Sequence, residues 1–183
     1  MTRDPTRSAR FDAVKSGDHF ALFGLERRFD LDDAALEKAF LDLSRKLHPD
    51  KQLAVKSDES LPRRQQRSLA LSAAMNQAYA ALKDRHKRAE HLLKLLGGQT
   101  ADQDKRTPPG FLAEMLEHRE LLEEGDTARL EPLLASLEKR EADTWTRLSQ
   151  LFRAGDISQI RLELNTLKYV TNLIEELRKK LRG

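Results

Sequence analysis

His48, Pro49 and Asp50 stand in a row where an apolar periodicity stops, with Lys51 immediately after. Several kinds of chemistry are open to such a group. The imidazole could ligate a metal, but no second histidine or acidic pair stands nearby at ligand spacing. It could serve as a general base, but no nucleophile motif or glycine-rich phosphate loop accompanies it. A lone histidine before a helix-ending proline is also a common surface feature. Recognition of a partner is a further possibility. Proline fixes the turn, so its neighbours are presented at little ordering cost, and Asp50 can accept a bidentate hydrogen bond from a partner's arginine.

Other chemistry is excluded by composition. The 183 residues contain no cysteine, which removes disulfide frameworks, thiolate metal or iron–sulfur ligation and cysteine nucleophiles. The pI of about 9.2 suggests a basic protein. Yet 33 Lys and Arg face 30 Asp and Glu, interleaved along the chain, and only seven Phe, two Tyr and one Trp are present. A nucleic-acid binder more often shows a basic stripe with interleaved aromatics. No apolar run approaches a membrane span. The first ten residues, MTRDPTRSAR, are too short and polar for a targeting peptide, and a cytoplasmic location is expected.

The elements that position the triplet follow from periodicity. Leu36, Phe40, Leu43 and Leu47 recur at i, i+4, i+7 and i+11, so residues 33–47 predict an amphipathic helix. Lys38 and Arg45 fall opposite that seam with Lys46 beside them, a basic outer face. Those cations can steer encounter with an acidic surface in a salt-dependent way; alone they are a solvated face. A polar loop to about residue 60 is followed by a second helix from Leu61-Pro62, its seam carried by Leu71, Met75, Ala78 and Leu82. The two should pair antiparallel. A further helical segment runs from Arg88 to Leu96.

Residues 97–110, GGQTADQDKRTPPG, mark the clearest boundary. Three helices are expected beyond it: 111–124, 126–154 with a kink or break at Pro132, and one from Ile157 onward. Short turns between them predict an antiparallel bundle. The chain therefore reads as all-α: an N-terminal extension 1–16, a helical-hairpin domain 17–96, a linker 97–110 and a three-helix bundle 111–183. No strand or fixed-period repeat appears.

The triplet on its basic-faced helix, followed by a loop and a second amphipathic helix, resembles a J-domain, the module that stimulates DnaK-type heat-shock ATPases. The run Asp18-His19-Phe20-Ala21-Leu22-Phe23-Gly24-Leu25 is similar to the start of HscB-type J-proteins, which serve iron–sulfur cluster assembly. So are Leu41 to Lys51, Asn76-Gln77-Ala78-Tyr79, Arg88-Ala89-Glu90 and Phe111 to Glu120. The resemblance implies a co-chaperone without an active site or cofactor of its own. His48, Pro49, Asp50, Lys38, Arg45 and Lys46 would meet an HscA- or DnaK-type ATPase. Leu112, Leu116, Glu117, Glu120, Glu124 and Tyr169 would bind an IscU-type scaffold protein. The protein itself would be a monomer or weak homodimer. A general J-protein for unfolded clients is the alternative, though no Gly/Phe-rich linker or cysteine-rich repeat supports it.

Periodicity alone places Leu112 and Leu116 in the bundle core and leaves the three glutamates as ordinary solvated residues. Three departures from the family pattern also stand out. A usual proline near Arg85 is lost, which could let two helices run together; a tyrosine is replaced by His91; and a bulky residue is reduced to Ala113. Without cysteine the chain lacks the tetracysteine zinc module of some eukaryotic members and fits a bacterial type.

Overall fold

The computed structural model of the chain describes residues 12–47 and 60–182, the side chain of Leu47 excepted. Among the described residues the architecture is helical throughout, with no strand. The elements are α1 (His19–Phe23), α2 (Asp33–Leu47), α3 (Leu61–Lys83), α4 (Arg85–Leu95), α5 (Phe111–Glu124), α6 (Thr127–Ala154) and α7 (Ile157–Leu181). They divide into two compact units, Met1–Leu92 and Leu93–Gly183.

In the first unit, buried Asp18 starts α1 by accepting the amide of Ala21 at 3.0 Å, and its other carboxylate oxygen accepts from Arg27 Nε at 2.8 Å. Burial raises the pKa of this carboxyl, but those donors outweigh it and hold the group below its ordinary value. Phe20, Leu22 and Phe23 are buried. Helices α2 and α3 pair antiparallel, as expected. Asp33 at the start of α2 meets Arg88 just past α3, while further along α2 Glu37 accepts from the Tyr79 hydroxyl at 2.9 Å and Phe40 packs on that ring. Leu36 and Leu43 of α2 and Leu71, Met75, Ala78 and Leu82 of α3 fill the seam. No residue of 61–70 is buried.

Helices α3 and α4 do not run together although the proline is lost. Asp84 is extended (φ −77°, ψ 119°), and its Oδ1 accepts the Lys87 amide at 3.0 Å. One aspartate thus ends α3 and caps α4, which begins at Arg85 rather than Arg88. His91 stacks on His19 with ring centroids 4.0 Å apart, and its Nε2 accepts the backbone N–H of His19.

The second unit is built on the α6–α7 hairpin. Arg178 with Glu138, Thr171 with Glu141 and Arg147 with Glu163 order the two helices antiparallel. Gly155, at φ 74°, makes the turn, and Asp156 caps α7 through the Gln159 amide. Pro132 does not break α6; the helix is continuous from Thr127 to Ala154, so the expected break is absent. Pro132 lies early in the helix and its missing N–H forfeits one bond, to Ala128, while Leu130 and Leu133 on either side are buried. Helix α5 packs on both partners around Phe111, Met115, Leu130, Leu133, Leu137, Val170, Leu173, Ile174 and Leu177.

Burial sets the expected stabilities. Leu82→Ala should cost its unit about 2–5 kcal/mol in chemical denaturation, whereas Leu69→Ala, at a site 72% exposed, should change stability by no more than about 0.5 kcal/mol.

Candidate functional site

The outer face of α2 carries Lys38, Leu41, Arg45 and Lys46, all exposed. Lys38 and Arg45 are seven residues apart, so they share one side of the helix about 10 Å from each other. Arg45 lies 3.6 Å from Asp42, one turn back on the same side. Two cations in the last turn also match the negative end of the helix dipole. Leu41 is 44% exposed and sits between Lys38 and Arg45, an apolar contact that charge-based reading of the face overlooked. His48, Pro49, Asp50 and Lys51 lie outside the described residues.

In the second unit, α5 offers two apolar pairs in adjacent registers. Phe111 and Met115 point inward and are buried; Leu112 and Leu116 are 54% and 60% exposed. The expectation from periodicity that Leu112 and Leu116 belong to the core is therefore overturned. Glu114 reaches back to Arg140 of α6 at 2.7 Å, and Arg119 reaches Glu176 of α7 at 3.6 Å. At about 100° per residue, the flank bearing Arg119 is the one bearing Leu112 and Leu116, so these leucines lean toward α7. Tyr169 of α7 is there, 45% exposed, its ring edge-on to Phe111 at 5.8 Å.

Glu117, Glu120 and Glu124 are exposed along the rest of α5. Glu124 is tied to Arg129 at 2.6 Å, while Glu117 and Glu120 take no ion pair among the described residues. Ala113 is exposed beside the leucines and presents only a methyl. Leu112 and Leu116 of α5 and Tyr169 of α7, the last against Phe111, are thus exposed large apolar residues of this unit, with Glu117 and Glu120 further along α5. Glu124 lies furthest along and is already paired.

Residues 97–110, expected to be a linker, are tied to α7 within the second unit. Asn165 is only 7% exposed, and its Nδ2 donates to the carbonyls of Asp104 (2.9 Å) and Arg106 (2.8 Å). Its Oδ1 accepts from Arg161 Nε, and Arg161 also donates to the carbonyl of Gln99. Arg106 closes a fork on Asp104, with contacts of 3.1 and 2.7 Å to Oδ2. Hydrogen bonds from Arg106 hold the Asp104 carboxyl at about 2. Gly98 completes the strap, because a Cβ there would lie 2.3 Å from the Leu93 side chain. The sequence signal for this strap was two polar residues, Arg161 and Asn165, at i and i+4 on the otherwise apolar stripe of α7.

No group of three or more His, Asp or Glu among the described residues could hold a metal ion, and no described helix is long and apolar enough to cross a membrane.

Residues 107–178 match the family described as the HSCB C-terminal oligomerisation domain. The chain is 37% identical over 147 residues to a co-chaperone protein HscB homologue of Ralstonia nicotianae, covering 76% of this chain and 80% of the relative. The fold is shared with the chaperone HscB from Vibrio cholerae (TM-score 0.70, 28% identity, 88% of this chain and 95% of that one). It is shared equally with human co-chaperone protein HscB (TM-score 0.74, 25% identity, 99% and 85%). These are all-helical J-protein folds. The chain belongs to the HscB co-chaperone family.

Two outcomes follow for the strap. Asn165→Ala should raise amide exchange over residues 99–106 at least tenfold while far-UV circular dichroism stays unchanged, because two carbonyls lose their donor. The Asp104 carboxyl, lowered in the folded state, stabilises the fold above its ordinary value near about 4, and that contribution fades as pH falls toward about 2. By NMR titration Asp104 should therefore show a midpoint near about 2, moving up to the ordinary carboxylate range in Arg106→Ala.

Proposed function

We propose that the protein is an adaptor in iron–sulfur cluster assembly: it stimulates a DnaK- or HscA-type heat-shock ATPase and delivers an IscU-type scaffold protein to it. The observation that carries this reading is the exposure of Leu112, Leu116 and Tyr169. Folding leaves Leu112 and Leu116 of α5 and Tyr169 of α7 in solvent although Phe111 and Met115 fill the inward positions of α5. Such a cluster is the usual core of a protein interface, and the exposed carboxylates of Glu117 and Glu120 supply a polar rim.

On the first unit, the ATPase-facing surface comprises Lys38, Arg45 and Lys46 on α2 together with His48, Pro49 and Asp50. Basic side chains favour encounter with an acidic partner surface, and Asp50 offers a bidentate acceptor to an arginine. Nothing in this scheme requires the chain to carry out covalent chemistry. Its effect is on the turnover of the partner, through which the scaffold is presented as client.

Two measurements test the reading. Steady-state ATP hydrolysis by a cognate heat-shock ATPase should rise on addition of the wild-type chain and stay near basal with His48→Gln; stimulation by both alike contradicts the role of the triplet. Leu116→Ser should weaken binding of the scaffold protein by about 10–100-fold, the span of an interface anchor, with helical circular dichroism near wild type. Loss of helicity in that variant would return Leu116 to a structural role.

A further inference from the structure

The apolar patch has a second charged end. Between the 99–106 strap and α7 lies a groove of about 330 Å³ lined by Asp102, Lys105, Lys168, Tyr169 and Asn172, with Asn165 at its base. Lys105 and Lys168 are exposed and take no ion pair among the described residues. Asp102 on the rim offsets one of them, so the groove stays net positive. The amide of Asn172 is also exposed there and adds an uncharged donor.

Position along the bundle gives this groove its meaning. Helices α5 and α7 run parallel, since Phe111 meets Tyr169, Arg119 meets Glu176, and Gly125 approaches Lys180. The groove, with Tyr169 as one of its walls, is therefore level with the start of α5, beside Leu112. Leu116 follows, and Glu117 and Glu120 come after it, about 7 and 12 Å from Leu112 at 1.5 Å per residue. By height along the parallel helices, Lys168 comes first, then Tyr169, Leu112 and Leu116, then Glu117 and Glu120: positive, apolar, negative. Its positive end exists because buried Asn165 and Arg161 hold the strap against α7, carrying Lys105 alongside Lys168.

We infer that the Lys105–Lys168 groove seats an acidic segment of the same scaffold protein that covers Leu112, Leu116 and Tyr169. The partner then presents charges in the opposite order, acidic at the groove and basic at Glu117 and Glu120. This inference rests on the scaffold-binding reading above and adds a polarity to it. An apolar patch alone would accept a partner in several rotations; two charges of opposite sign at its ends favour one, since the reversed pose brings like charges together.

Calorimetric titration of the full chain with an IscU-type scaffold protein tests it. Lys105→Glu/Lys168→Glu should weaken binding at least tenfold and flatten the loss of affinity between 50 and 300 mM salt. Lys105→Arg/Lys168→Arg and the distant Lys139→Glu should each stay within twofold of wild type. Wild-type affinity in the doubly reversed variant overturns the groove assignment but leaves scaffold binding standing; no binding by the wild-type chain overturns scaffold binding itself. If the reversed variant loses only self-association by sedimentation, with scaffold affinity unchanged, the groove belongs to a second copy and the inference fails.

Discussion

A helix of fourteen residues cannot cover a hairpin of helices twice its length, and the second unit is organised around that mismatch. Helices α6 and α7 bury each other along 28 and 25 residues, while α5 spans only 14. Part of the remainder of α7 is met by a segment with little apolar side chain to contribute. Covering it with backbone means satisfying carbonyls, and Asn165 and Arg161 supply the donors from inside an apolar stripe. A buried amide with every polar group used is stable; the same amide without the strap would be a cost. Strap and helix thus depend on each other.

That constraint reaches the surface. Phe111 and Met115 fill the space above α6 and α7, so the neighbouring register of α5 has nowhere to go but outward. The exposed leucines are a consequence of a core already full. In the first unit, the changes at 84–85 and 91 show similar substitution of one physical device for another. Asp84 interrupts the helix by capping the next one instead of by a proline's missing N–H, and His91 accepts a backbone hydrogen bond from His19.

Much of this was legible in the sequence. Leu36, Leu43, Leu71, Met75, Ala78 and Leu82 in the first unit, and Leu130, Leu137, Leu148, Leu164 and Leu177 in the second, are buried as their spacing predicts. Val170 and Leu173 of α7 are equally buried but escaped notice, because the stripe there is wider than a single seam. The order of α5 was not legible: Phe111/Met115 and Leu112/Leu116 are both i, i+4 pairs, and only the position of α6 and α7 selects between them. Nor was the strap legible from its own residues, since glycine, proline and short polar residues look alike in a free linker and in a segment held by its backbone; its signal lay in Arg161 and Asn165 on α7. The all-helical class and the two halves rest on strong periodicities, whereas the candidate scaffold site rests on resemblance, and exposure adds only which register of α5 faces solvent.

The proposed function couples two partners through one chain. The most direct measurement is the rate of ATP hydrolysis by a cognate heat-shock ATPase as the scaffold protein is titrated into a fixed amount of the full chain. The expected result is a saturable rise that requires the chain to be present. A rate that does not respond to scaffold, or that responds equally without the chain, would contradict it.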